Sequence, residues 1–404
     1  MNAISRPSRR NLLASASAAL GAFTLGFRIP LPSEAAAQTA ASGPAAAPAT
    51  PEVNAWVVVK PDDTVVIRIA RSEMGQGTLT GLAQLVAEEL ECDWAKVTTE
   101  YPTPGQNLAR GRVWGNMSTG GSRGIRESNE YVRKGGAAAR MMLVQAAANE
   151  WAVPVGECQA AASVITHMPS GRTTTFGRVA EAAGRLPVPT EVPLKDPANW
   201  KLAGRPVMRL DTAAKLNGSQ VYGMDLKLPG MLNAAIHACP VFGGKVRSVD
   251  SAAAERMPGV KRVLRVGDYA VAVVADTWWR ARSAFEALPV VWDEGPNATQ
   301  SSARIAAFLA EGLDAEGAFA DRDEGDAKAA IAGAARRIEA VYATPYLAHA
   351  TMEPMNCTAR ISADRGEAWV PTQNAEAAHA ALSETSGLPL AQCEVYRHDP
   401  GGGF

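Results

Sequence analysis

Cysteine is scarce in this 404-residue chain. The five present, Cys92, Cys158, Cys239, Cys357 and Cys393, stand far apart. No pair has CxxC spacing, so neither an iron–sulfur cluster nor a structural zinc is expected within the chain. An odd count at such spacings fits no disulfide framework, and the thiols read as scattered and buried. A dominant sign of charge is also missing. Forty basic against forty-one acidic side chains leave a net charge of −1, which gives no nucleic-acid footprint and no polybasic membrane patch. The apolar run from Leu12 to Phe27 is too short for a membrane span. No GxGxxG lies between a strand and a helix, no GxSxG elbow occurs, and no Cys/His or paired-carboxylate arrangement stands out, so Rossmann and hydrolase readings have no footing. No repeat of 20–50 residues is evident.

What the chain does have begins with Ser8-Arg9-Arg10-Asn11-Leu12-Leu13, an apolar stretch and AAAQ at Ala35 to Gln38. A basic head, a short apolar core and small residues describe a signal peptide over residues 1–37. The paired arginines look like the twin-arginine type, which exports proteins already folded. The expected location is therefore periplasmic, with membrane association through an uncleaved leader as the alternative. Residues 38–52 are Ala/Pro-rich and read as a linker.

The remaining length and an apolar content of 47% suit two or three domains of mixed character, an α+β organisation. A first region over 53–203 opens with two β-rich runs flanking Pro61-Asp62-Asp63, a hairpin signal. Leu79, Leu82, Val86 and Leu90 recur at helical spacing. Residues 102–124 are glycine-rich and read as a long loop, and a long helix follows from about Arg126 to Trp151. A second region, 204–295, alternates the strands LNAAIHA, VKRVLRVG and YAVAVVA with Pro-Gly turns and ends in the helix TWWRARSAFEAL, where Trp278 and Trp279 read as core. A third, 296–404, predicts strands EAVYATPYL, NCTARIS, EAWVPTQ and QCEVYRH around the helix AEAAHAALSETSG.

Taken singly, the chemistry-bearing motifs are weak. Gly75-Gln76-Gly77 lies between a strand and a helix and could cradle an anion on helix N–H groups, or be a plain turn. Ser118 to Gly124 offers hydroxyls, flexible backbone, Arg123 and a neighbouring Arg126, a backbone nest or a surface loop. His349 and Glu353 stand four apart, but strand-like flanks and Pro354 argue against a shared helical face for a metal. His167, His237, His379 and His398 have no sequence neighbours of matching chemistry.

The combination is more specific than its members. EMGQG with AEEL, then RPVMRLDTAAKLNGSQVYGMDL, MPGVKRVL, YAVAVVADTWWRA, HATMEP, TQN and GGGF occur in one order. In that order they resemble the large molybdopterin-binding subunit of the xanthine oxidase/aldehyde oxidase family. The twin-arginine start is similar to that of the isoquinoline 1-oxidoreductase beta-subunit branch. The resemblance runs from about Val53 to Phe404. It implies a partial molybdopterin-binding domain, an a/b hammerhead domain over 204–295, and the start of a further molybdopterin-binding domain that the chain does not complete.

The resemblance implies a molybdenum–molybdopterin cytosine dinucleotide cofactor held by loops rather than by protein metal ligands. Cofactor-binding positions carried over by motif are Gly75, Gln76 and Gly77, then Thr119, Gly120, Gly121 and Ser122 on the pyrophosphate side. Gln373, Gly402, Gly403 and Phe404 follow beside the metal. The implied reaction is hydroxylation of an N-heteroaromatic or an aldehyde with water as oxygen donor, with the catalytic glutamate expected beyond Phe404. On that expectation the 404 residues alone neither retain molybdenum tightly nor turn over substrate. A small [2Fe–2S] partner subunit, with a cytochrome as the further acceptor, would take the electrons. The competing expectations are a non-catalytic exported scaffold and a two-lobed binding protein.

Overall fold

The computed structural model describes residues 52–317, 319, 321–322 and 324–403. The expected signal peptide, nearly all of the linker, and Phe404 lie outside the described residues.

The hairpin at Pro61-Asp62-Asp63 forms. Strands β1 (Glu52–Asn54), β2 (Val57–Val59) and β3 (Val65–Arg68) pair antiparallel, and β4 (Val97–Glu100) joins β3 in parallel. The crossover between those two parallel strands is α1 (Thr78–Leu90), which buries the periodic Leu79, Leu82, Val86 and Leu90. The 102–124 stretch is not loop throughout. It holds the short helix α2 (Pro104–Ala109), started by a capping box in which Thr103 and Gln106 satisfy each other's backbone N–H groups. Helix α3 (Asn129–Trp151) lies against α1. Gly136 permits the close approach, because a Cβ there would collide with the Val86 carbonyl oxygen. A small sheet of β5 (Cys158–Ala161), β6 (Val164–His167) and β7 (Arg172–Thr175) leads into α4 (Phe176–Ala183), and β1 to β6 with α1, α3 and α4 share one apolar core.

The two glutamates of AEEL act as fasteners. Buried Glu89 bonds the Arg133 Nε at 2.9 Å, and Glu88 accepts the N–H groups of Lys201, Leu202 and Ala203 and pairs with Lys195. Burial would raise the Glu88 carboxyl, but Lys195 and those N–H groups hold it below the ordinary value. Together they pin residues 195–203 onto α1.

After α5 (Thr212–Asn217) a second core forms. Strands β8 (Asn233–Ala238), β10 (Val260–Val266) and β11 (Ala270–Ala275) make one sheet in the order β10-β11-β8, while β9 (Lys245–Val249) pairs with β12 (Val290–Asp293). Helix α6 (Trp278–Glu286) buries Ala281 and Ala284 against them, but Trp278 and Trp279 face out, 51% and 68% exposed. The expectation that they are core fails because the small alanines, not the indoles, occupy the inward stripe. Cys158 and Cys393 are buried, whereas Cys357 is exposed, against the expectation for scattered thiols.

Helices α7 (Ser302–Glu311) and α8 (Ala327–Ala332) precede the third unit. There β13 (Thr358–Ile361) pairs antiparallel with β14 (Gly366–Pro371), and β14 runs parallel to β15 (Cys393–His398) through the crossover helix α9 (Ala375–Ser386). Buried His379 fastens that helix by bonding the carbonyls of Leu390 and Cys393 at 3.0 and 2.8 Å. The strand expected at EAVYATPYL does not form. Residues 337–350 are exposed and without regular structure. The run has strand-like side chains, but no neighbouring strand among the described residues takes up its backbone hydrogen bonds.

Candidate functional site: a cleft between two glycine loops

The EMGQG loop is shaped by its first residue. Glu73 is fully buried, and its carboxylate accepts the N–H groups of Gly75 at 2.7 Å, Gly77 at 3.0 Å and Leu79 at 2.9 Å. The chain can fold back this tightly because Gly75 and Gly77 take φ of 104° and 88°. The helix-start N–H groups that could have cradled a foreign anion therefore already bind one, supplied two to six residues upstream. Arg209 completes the arrangement, donating to the Gly75 carbonyl at 2.8 Å and to Glu73 at 3.1 Å, with Asp211 as its other partner. Asp211 also pairs with Lys215 one helical turn on. Burial pushes its carboxyl up, but the bonds to Arg209 and Lys215 prevail and hold it at about 2. Gln76 spends its amide locally, accepting from the Met74 N–H at 2.6 Å and donating to the Ser72 carbonyl at 2.9 Å.

Facing this loop is the end of the third unit. β15 delivers Arg397, whose buried guanidinium donates to the carbonyls of Ala70 at 2.7 Å and Ile69 at 3.1 Å, tying the strand end to the segment that leads into EMGQG. Desolvation lowers its pKa to about 10. Beyond it, Gly401 donates to Glu353 Oε2 at 2.7 Å and accepts from the Glu353 N–H at 3.2 Å. The other oxygen of Glu353 takes the N–H of Met224 at 3.1 Å and the amide of Asn356 at 2.9 Å. Any side chain at Gly401 would strike Glu353, and one at Gly403 would strike the Met74 sulfur. Glu353 is thus a backbone clamp, while His349 stands in the exposed segment, so the two share no helical face.

A third segment joins them. Thr119 and Gln373 bond reciprocally, Thr119 N–H to the Gln373 carbonyl at 2.7 Å and Gln373 Nε2 to the Thr119 carbonyl at 2.9 Å. Ser72 connects both to EMGQG, its N–H donating to Thr119 Oγ1 at 2.8 Å and its hydroxyl to the Thr372 carbonyl at 2.8 Å. Gln76 and Gln373 therefore belong to one hydrogen-bonded chain through Ser72 and Thr119. Gly120, Gly121 and Ser122 follow Thr119, with φ of 57° and 55° at Gly121 and Ser122, and their N–H groups have no hydrogen bond among the described residues.

Between the loops lies a cleft of about 510 Å³ lined by Met74, Gly75, Lys215, Glu353, Gly401 and Gly402 among others. Among the described residues no group of three His, Cys, Asp or Glu side chains could hold a metal ion. The arrangement fits a large anionic cofactor that brings its own metal ligands. Glycine backbone at Gly75, Gly401 and Gly402 lines the cleft together with Lys215, whose charge is shared with Asp211, and the Gly120–Ser122 nest on the neighbouring Thr119 segment offers free N–H donors among the described residues. The motif reading found the glycines and both glutamines but passed over Glu73, Arg209, Asp211 and Glu353 as shaping residues. Asp211 and Lys215 were findable as an i,i+4 pair after RL.

The molybdopterin cofactor-binding domain model matches residues 33–224, and a second model with that description matches 313–404. The chain is 31% identical to the isoquinoline 1-oxidoreductase subunit beta of Brevundimonas diminuta, across 99% of this chain and 56% of that protein. It is also 31% identical to a membrane-bound aldehyde dehydrogenase (pyrroloquinoline-quinone) of Gluconacetobacter polyoxogenes, across 76% of this chain and 41% of that one. Quinoline 2-oxidoreductase from Pseudomonas putida 86 aligns in structure at a TM-score of 0.38 and 22% identity, over 49% of this chain and 30% of that chain. The chain spans about half the length of these relatives or less. Two matching cofactor-domain models, with cleft-forming loops inside both, place the chain among the molybdopterin-binding subunits of the xanthine oxidase family.

Proposed function

We propose that this chain contributes the molybdopterin-holding cleft of a molybdenum hydroxylase, which oxidises an N-heteroaromatic or an aldehyde with water as oxygen donor. The observation that carries the proposal is that Gly75 and Gly401–Gly402 line one cleft, while Thr119 and Gln373 bond to each other and, through Thr119, to Ser72 just before EMGQG. When bound, the molybdenum pterin supplies the two-electron oxidation and the site at which water is activated. The chain's own part is to bind and orient. The Gly120–Ser122 N–H groups suit the phosphate side of a cytosine dinucleotide form. Gln373, a neutral amide beside Thr119, can donate without adding charge to a centre whose redox state changes. Lys215 lines the cleft as a pair with Asp211. The names of two relatives, an isoquinoline oxidoreductase and an aldehyde dehydrogenase, suggest the two substrate classes.

The same proposal includes a small [2Fe–2S] partner subunit as electron outlet, with a cytochrome beyond it, and export to the periplasm by the twin-arginine route. Scattered cysteines leave no cluster site in this chain, which supports the separate subunit. The test is metal and pterin analysis of the holoenzyme purified from its native host. Close to one molybdenum per large subunit, with CMP released on hydrolysis of the pterin, is expected. Folded protein without molybdenum would favour the scaffold alternative.

A further inference from the structure

One side chain outside every glycine motif holds the first residue of both cleft loops. Tyr101 follows β4, and its phenol oxygen accepts the Glu73 N–H at 3.0 Å while its O–H donates to Asp399 Oδ1 at 2.5 Å. Glu73 opens EMGQG, and Asp399 opens the Pro400-Gly401-Gly402-Gly403 run. The ring lies under the Arg397 guanidinium, 4.4 Å from centroid to Cζ. Arg397 itself spends its Nη donors on the Ile69 and Ala70 carbonyls at 3.1 and 2.7 Å. It forms no ion pair with Asp399 among the described residues. Apart from Tyr101, Asp399 finds the amide of Gln220 at 3.4 Å. The loops meet again where Gly403 lies against Met74. The phenol is therefore a direct tether between the first residues of the two loops, beside the Arg397 bonds and the Gly403–Met74 contact.

We propose that Tyr101 is a positioning residue for the molybdopterin cleft: by bridging the Glu73 backbone and the Asp399 carboxylate, it sets the spacing of the two glycine loops that would grip the pterin. The claim rests on assigning the cleft to molybdopterin, and it deepens that assignment. A tether of this kind acts through hydrogen-bond geometry rather than through charge. Tyr101→Phe keeps the ring and its cation–π contact and removes only the hydroxyl. Asp399→Asn keeps an oxygen that accepts the phenol proton, whereas Asp399→Leu keeps none.

The experiment compares the wild-type holoenzyme with these three variants in two readouts: bound molybdenum and pterin per folded protein, and hydrogen exchange at the Gly75, Gly77 and Gly401 amides. Tyr101→Phe and Asp399→Leu are expected to lose cofactor occupancy by about tenfold, and Asp399→Asn to stay within about twofold of wild type. Exchange should rise in both loops together in Tyr101→Phe, which a purely local packing role would not produce. Occupancy unchanged in Tyr101→Phe, Asp399→Asn falling as far as Asp399→Leu, or exchange rising in one loop alone would each overturn the tether. A wild-type holoenzyme without molybdenum would instead overturn the assignment of the cleft, and the exchange data would still decide whether Tyr101 couples the loops.

Discussion

Glu73 shows how much of a loop can depend on one carboxylate. Its two oxygens satisfy three backbone N–H groups and an arginine in a dry setting, so Glu73→Gln weakens charge-assisted bonds and turns an amide N–H₂ toward donors. A stability loss of about 2–4 kcal/mol by urea denaturation is expected, and one below about 1 kcal/mol would contradict the role given to it. Two aspartates make opposite pH predictions. Asp211 is depressed to about 2 from an ordinary 3.8. Its contribution is therefore present above 3.8 and lost as pH falls through about 2, and Asp211→Asn should flatten the stability profile across that window. Burial raises the Asp399 carboxyl. Its protonated form favours the fold, stability drops as pH climbs from 3.8 through the raised value, and Asp399→Asn should remove that downward slope. At this scale the sequence showed residues that motifs single out, such as Gln76 and Gln373. It hid those whose importance comes from which backbone they meet, such as Glu73 and Tyr101.

Among the elements, α1 was readable because Leu79, Leu82, Val86 and Leu90 keep one face, and that face is buried. Its partner α3 comes close enough only because Gly136 has no side chain. Gly136→Val would drive two helices apart and should cost about 3 kcal/mol or more, measured as a fall in the denaturation midpoint with the slope unchanged. A midpoint within error of wild type would mean that the helices are not packed through that residue. The capping box at Thr103–Gln106 was legible in TPGQ, although glycine-rich surroundings masked it. EAVYATPYL misled for the opposite reason. β-Branched and aromatic residues suit a pleated, half-buried surface, but a strand also needs a neighbour for its backbone. Trp278 and Trp279 misled because helix α6 is inward-facing through alanines.

Among the described residues the apolar interior falls into four separate clusters rather than one continuous core, and polar threads join the first unit to the third. Arg397 reaches from the third core to the carbonyls of Ile69 and Ala70. Ser72 reaches to Thr372, and Glu353 gathers Met224, Asn356 and Gly401. These threads are long in sequence, up to 328 residues, which is why periodicity and local motifs could suggest the pieces but not their meeting. The order of the motifs carried that information instead, since it resembled a family whose loops converge. The most direct measurement is anomalous diffraction at the molybdenum edge from crystals of the holoenzyme. A single peak in the cleft between Met74 and Gly401–Gly402, with the nest at Gly120–Ser122 against the same cofactor, is the predicted result. A peak remote from these loops would contradict the account.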